Sequence, residues 1–252
     1  MQLAVNFAWL EATMLAGVRM IAFLVIAPPF SYNGFPMRIK GMLAIALAMV
    51  VAPRVTPGYA PLDTGPFLLA LVAQVVIGGV LGFLVYLVFA AIQSAGALID
   101  LFAGFSMAQA FDPGSFLNGA QFTRLMHLVA LALLFTSGGA EMIIGGLVRT
   151  FDALPVTGML DMTDPGAALV GGVTQMFLAS VQIAGPILLV LFLADVGLAL
   201  LTRVAPQMNA FQLGFPLKIL ITLLLASVVF LALPRIVAAL VDDALALMGV
   251  SG

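Results

Sequence analysis

The sequence predicts an all-α, polytopic membrane-associated protein of about six long helices arranged in hairpins, and three observations carry that prediction. Of the 252 residues, 63% are hydrophobic and 8% charged, whereas a soluble domain holds roughly 45–50% apolar and about 25% charged residues. Apolar runs recur at or beyond the length of a bilayer crossing, about 20 residues; no charged residue stands from 64 to 99 or from 165 to 194. The runs are separated by Pro, Gly and charge, the signals that end helices. Nine basic and eleven acidic residues are too few to clothe a 26.2 kDa globule in polar surface. Lipid or protein must cover the rest. The chain reads as a single domain over 1–252.

Helices are predicted at 6–27, 37–53, 66–100, 122–150, 166–203 and 216–247. The first lacks the basic start and small-residue cleavage site of a removable signal peptide, so it stays as a membrane element. The second is the shortest, apolar only from 41 to 52 between Arg38, Lys40 and Arg54, and fits a half-buried hairpin arm as well as a crossing. The third and fifth overshoot a bilayer; tilt, kinking or projection beyond the lipid would absorb the excess, with Pro186 as one kink point. Small residues cluster at Gly78, Gly79 and Gly82, at Ala91, Ala95 and Gly96, and at Gly145, Gly146, Gly171 and Gly172, where helix backbones can approach closely.

The first, third and fifth connections hold Arg38, Lys40, Arg124, Arg203 and Lys218, against Arg54, Arg149 and Arg235 in the others. That bias places both termini outside the cytoplasm. The segment 34–39, Gly-Phe-Pro-Met-Arg-Ile, is echoed by 214–219, Gly-Phe-Pro-Leu-Lys-Ile, and each copy follows an Ala-Pro pair. Both read as a helix stop at Pro followed by a new helix with Pro in its first turn. Duplication or shared turn chemistry would each explain the echo.

Several function classes fall away. The net charge of -2 comes with no basic run, so there is no footprint for nucleic acid. Without cysteine there is no disulfide, thiolate site or iron–sulfur cluster. His127, the one histidine, has no second ligand at metal-binding spacing. Phosphate-binding loops, H-E-x-x-H and G-x-S-x-G motifs are absent. Asp152, Asp161 and Asp164 stand among Pro and Gly and read as an exposed loop. No catalytic residue, metal or cofactor is expected.

Two features invite a functional reading. Glu11, Arg19, Glu141 and Asp195 lie inside helices, where an unpaired ionised group at mid-membrane costs roughly 2.5–3.5 kcal/mol or more. They can pair across helices or subunits, line an aqueous path or relay protons. The connection 104–122, GFSMAQAFDPGSFLNGAQF, is more apolar than a surface loop. Asp112-Pro113-Gly114 makes a tight turn, surrounded by Phe105, Met107, Phe111, Phe116 and Phe122, side chains that are costly to leave in water. The loop rests on the membrane interface, or is buried in protein or lines a cavity, where an apolar constriction closes a pore by dewetting.

The residues around the fifth connection are more specific: Asp195, then Arg203-Val204-Ala205-Pro206-Gln207-Met208-Asn209, Phe211, and Pro216-Leu217-Lys218 within the echo. With Arg19, Pro28-Pro29-Phe30 and 36–40 near the start, and Asp100, Gly104 and Phe111-Asp112-Pro113 at mid-chain, the chain resembles the flagellar biosynthetic protein FliR family over essentially its whole length. The injectisome T counterpart shares the Ala-Pro-Gln-x-Asn core and matches less well at 214–219, which favours the flagellar member. The resemblance implies a component of the type III export gate, multi-pass in the bacterial inner membrane at the flagellar basal body. Its partners would be the P and Q components, the B component, membrane lipid and the flagellar proteins in transit. It further implies that 104–122 plugs the pore of a helical export-gate assembly. Arg203, Pro206, Gln207, Asn209, Pro216 and Lys218 would then form a cytoplasm-facing hairpin turn or subunit contact. The competing reading from the residues alone is a secondary transporter for a small solute, suggested by Gly/Pro-interrupted helices and intramembrane charge.

Overall fold

Helix is the only regular structure among the described residues of the computed structural model, which are 6–31, 34–105, 121–157, 165–205 and 210–250; the side chains of 165, 167, 168 and 210–212 are outside that description. The elements are α1 (Phe7–Ile26), α2 (Met37–Val55), α3 (Thr64–Ala103), α4 (Gln121–Thr136), α5 (Gly139–Ala153), α6 (Pro165–Val204) and α7 (Ala210–Leu247). Asn6 caps α1, its side chain accepting from the Trp9 N–H at 3.2 Å. Pro36 stands just outside α2, with φ -58 and ψ 145.

Two expected elements differ. The predicted helix 122–150 is two helices, because Gly138 adopts a left-handed φ of 75 and stands as the N-cap of α5. Glycine takes that conformation at no steric cost, and it interrupts the helical hydrogen-bond ladder. The last helix begins at Ala210 rather than 216, so Pro216 lies inside α7 and opens neither a helix nor a turn. A proline removes only its own donor, and apolar helices tolerate it where neighbours or local adjustment satisfy the freed carbonyl. The two copies of the echo therefore occupy different places, Pro36 before a helix and Pro216 within one. Asp152 lies in the last turn of α5, not in a loop, and α6 runs on through Pro186.

Among the described residues four helices, α1, α3, α6 and α7, are long and apolar enough to cross a membrane, and the broken pair α4–α5 makes a fifth if it counts as one span. The protein is an all-α, multi-pass membrane protein. α2 is a complete helix of 19 residues but is not among these spans, in keeping with the basic residues at both of its ends.

By contacts the chain gathers into two compact units, Met1–Val88 with Ser137–Gly172 and Leu240–Gly252, and Phe89–Thr136 with Val173–Ala239. Neither is contiguous, because α3, α6 and α7 each run from one into the other. In the first unit α1 buries Ala12, Leu15, Ala16, Arg19, Met20 and Phe23, the three-and-four spacing of a single helix face. Glycines on α3 bring the backbones close: a methyl at 78 would overlap the Arg19 carbonyl oxygen, and one at 82 would lie 3.0 Å from that of Phe23. In the second unit α4 buries Phe122, Met126, Ala130 and Leu134, one per turn.

Burial is uneven. Within the most apolar window of each helix, 67% of residues are buried in α3 but only 17% in α6 and 22% in α7. Phe177, Phe192, Leu224 and Leu231 are more than half exposed. These faces are made for lipid or for protein neighbours.

Candidate functional site

The last turns of α3 lead into the apolar mid-chain connection and α4 leads out of it, and both of these belong to the second unit. Residues 106–120, which include Met107, Phe111, Asp112, Pro113, Gly114 and Phe116, lie outside the described residues; the two ends of the connection are described. The first N–H groups of any helix lack an intrahelical acceptor, and at α4 Asp100 supplies one from the neighbouring helix. Its carboxylate accepts from the backbone N–H of Phe122 at 3.0 Å and of Thr123 at 2.8 Å, and from the Thr123 hydroxyl at 2.6 Å. An anion at a helix N-terminus also meets the positive end of its dipole. Asp100 is buried, so these bonds are shielded from competition with water.

The rest of the neck follows from helical spacing. Gly96, one turn before Asp100, makes room for α4, since a Cβ there would lie 2.7 Å from the Thr123 Cα. A further turn back, the Gln93 amide hydrogen-bonds His127 at 2.9 Å. Residues 93, 96 and 100 thus form one stripe of α3 facing 123 and 127 of α4. At the exit of α3, Gly104 turns with φ 85, and a Cβ there would lie 2.6 Å from the Phe215 ring. Phe105 is half-buried. Phe122 is buried and packs on Phe230, ring centroids 5.9 Å apart. The connection therefore leaves and returns through a pinned neck.

Among the four charges expected inside helices, Arg19 alone is fully buried. Among the described residues no carboxylate pairs with it. Its Nε donates to Gln74 Oε1 at 2.6 Å, its Nη2 to the Leu154 carbonyl at 2.7 Å, and its Nη1 lies 3.4 Å from the Thr150 carbonyl. The guanidinium also stacks on Phe151, with Cζ 4.0 Å from the ring centroid. Leu154 is the C-cap of α5, so Arg19 serves the unsatisfied carbonyls and the negative dipole end of that helix. Gln74 completes the tie by donating to the Val156 carbonyl at 3.0 Å. Three helices, α1, α3 and α5, meet at one cation.

The other charges have local roles. Glu11 accepts from the Tyr59 hydroxyl at 3.0 Å and the Leu62 N–H at 3.2 Å, holding the α2–α3 connection against α1. Burial pushes the Tyr59 phenol up to about 12, with further help from the hydrogen bond and charge of Glu11; Tyr59 therefore remains a donor throughout the physiological range. Glu141 is exposed in the first turn of α5, where a negative charge suits the dipole. Asp195 pairs with Lys218 at 2.5 Å between α6 and α7. Lys218 is thus inside a helix and paired within the chain, not at a turn. Arg203 is exposed in the last turn of α6; Pro206, Gln207 and Asn209 lie outside the described residues. Among the described residues no group of three His, Asp or Glu side chains is placed to hold a metal ion.

Over residues 10–244 the sequence matches the family described as bacterial export proteins, family 1. The chain belongs to this family. Its relatives include the flagellar biosynthetic protein FliR of Escherichia coli (strain K12), 34% identical over 212 residues that cover 84% of this chain and 81% of that one. FliR of Bacillus subtilis (strain 168) is 28% identical over 255 residues, 95% and 96% of the two chains. The Yop proteins translocation protein T of Yersinia pestis is 29% identical over 212 residues, 82% and 81%.

In this export-family chain the residues that sequence reasoning missed are Gln74, Thr123, Thr150 and Tyr59. Gln74 carried a usable signal, a lone amide deep in an uncharged run, since such a group needs a partner. The Asp195–Lys218 pair allows a direct check. Lys218→Glu sets two anions together and is expected to lower the amount of extractable protein several-fold, while the exchange Asp195→Lys with Lys218→Asp restores most of it. Equal yields from the single and exchanged variants would show that the pair contributes nothing to the fold.

Proposed function

We propose that this export-family chain is an integral component of the flagellar type III export gate, working in the bacterial inner membrane at the flagellar basal body. It assembles with the P and Q components, meets the B component, and surrounds part of the path taken by flagellar proteins in transit. The connection 104–122 supplies an apolar seal across that path, with Phe105, Met107, Phe111 and Phe116 as sealing side chains around the Asp112-Pro113-Gly114 turn. The observation that carries this reading is the neck at Asp100, Gly96 and Gly104, which fixes both ends of an apolar segment too hydrophobic for a free loop. Family membership and the poorly buried apolar faces of α6 and α7 support assembly with neighbours. An apolar constriction excludes water and ions without a covalent lock, and it parts when a passing chain offers new apolar contacts.

Removing 106–121 tests the proposal. The expected result is raised ion conductance in cells or reconstituted complexes, with the P and Q components still recovered alongside the shortened chain in native mass spectrometry. An assembled complex whose conductance stays at the intact level would reject the seal. Recovery of the full chain as a stable monomer that never associates with P-like and Q-like proteins would reject the assembly. The relation to the Yersinia translocation protein keeps an injectisome role as a second reading, which restored motility in a strain lacking its own gate component would exclude.

A further inference from the structure

Near its C-terminus the first compact unit holds a cavity of ≈ 500 Å³ between α5 and the end of α7, lined by Met142, Gly145, Arg149, Asp242, Leu245 and Val250. We infer that this cavity seats a phosphoethanolamine headgroup, with Arg149 taking the phosphate and Asp242 the ammonium. The inference rests on the membrane character of the chain and is independent of the gate. Both side chains are exposed at the cavity, and neither has an ion-pair or hydrogen-bond partner among the described residues. Opposite charges that share a cavity without joining each other present a zwitterionic pattern.

The chemistry distinguishes ligands. Guanidinium matches phosphate in a planar, two-pronged bond. The ammonium gains from Asp242, which stands in the last turns of α7 with the negative end of the helix dipole beside it. That end is closed by a turn with Gly249 at φ 73 and the Val250 N–H bonded to the Leu245 carbonyl at 3.1 Å, a fixed geometry. A lone phosphate would face Asp242 and this helix end; a lone cation would face Arg149. Leu245, Val250 and Met142 offer apolar wall to the start of an acyl chain. On α7 an uncharged run from 219 to 234 is followed by Arg235, Asp242 and Asp243, so Asp242 stands at the charged end of an apolar helix, the kind of end that favours the polar region of a bilayer. The same zwitterion also exists as a free small molecule, so the test separates the two sources.

The assembled complex, extracted in mild detergent, is equilibrated with equal amounts of phosphatidylethanolamine and phosphatidylglycerol, and the lipid that stays bound to this chain is read by mass spectrometry. The expected result is about tenfold enrichment of phosphatidylethanolamine, a difference of about 1.4 kcal/mol. Arg149→Gln and Asp242→Asn, both at exposed positions, are expected to abolish the enrichment. Gly145→Leu serves as a filling variant, because a Cβ there meets nothing within 4 Å; it should keep the fold and lose the lipid. Equal retention of the two lipids, or enrichment that survives all three substitutions, would overturn the inference. Displacement by free phosphoethanolamine at concentrations matching the lipid would assign the cavity to a soluble zwitterion instead. Binding only after the partner subunits are stripped away would assign it to a neighbouring protein.

Discussion

Arg19→Met is expected to deplete the protein from the membrane, although methionine fills most of the space and is the more apolar residue. The substitution removes the donor to Gln74 Oε1, to the Leu154 carbonyl and to the Thr150 carbonyl together. Each buried acceptor left without a partner costs about 1–3 kcal/mol, so the sum is comparable with the whole stability of an ordinary domain, about 5–15 kcal/mol. Arg19→Lys is expected to recover only part of the loss. An ammonium keeps the charge near the end of α5 but cannot donate in the spread, planar directions of a guanidinium, nor stack on Phe151. Gln74→Leu should fall between the two, since it removes one acceptor of Arg19 and orphans the Val156 carbonyl. The measurement is the level of extractable protein together with its thermal transition in detergent. Wild-type accumulation and melting of Arg19→Met would show that these carbonyls find other partners and that the guanidinium is no structural tie.

How much of this was legible beforehand differs from one element to the next. The ends of α1, α2, α3 and α6 fall within three residues of the expected positions, because Pro, Gly and charge end an apolar run in the same way in sequence and in space. The break at Gly138 carried a signal that went unused: Ser137-Gly138-Gly139 is a turn-forming triplet, but glycine is common within membrane helices, and the apolar run continues on both sides of it. The start of α7 was misplaced because Pro216 was read as a helix opener, a rule that holds for helices bounded by water and weakens inside an apolar environment.

The sites divide similarly. That Arg19 needed a partner follows from its position within an apolar helix. That its partners are backbone carbonyls at the end of α5 could not be read, since carbonyls leave no trace in residue type and the contact joins residues more than a hundred positions apart. Asp100 is legible only as one residue of a family pattern. Its task as a cap appears when Thr123 is brought to it across Gly96, a contact set by the α3–α4 pairing rather than by either local sequence.

That contact gives the second large effect. If the connection 104–122 seals the path as proposed, Asp100→Ala is expected to leave a complex that assembles but leaks, because the substitution acts at the neck of the connection and not on the proposed sealing side chains. It leaves the N–H groups of Phe122 and Thr123 and the Thr123 hydroxyl without their acceptor. Loss of an N-cap alone costs about 0.5–2 kcal/mol, enough to fray the first turn of α4 while the buried turns at Met126, Ala130 and Leu134 hold. Asp100→Asn retains one acceptor oxygen in place of two and should leak less; Thr123→Val removes only the hydroxyl donor and should leak least. Gly96→Ala approaches the same neck from the other side. Its methyl would meet the Thr123 Cα at 2.7 Å and push α4 away with the carboxylate intact, so a leak from this variant as well would locate the effect in the α3–α4 spacing rather than in the charge of Asp100. The measurement is ion conductance of reconstituted complexes, normalised to the amount assembled, with motility as the cellular readout. If Asp100→Ala and Gly96→Ala both assemble and hold ions as the unaltered chain does, while removal of 106–121 leaks, the seal is positioned by its contacts within the pore and the neck has no part in closing it.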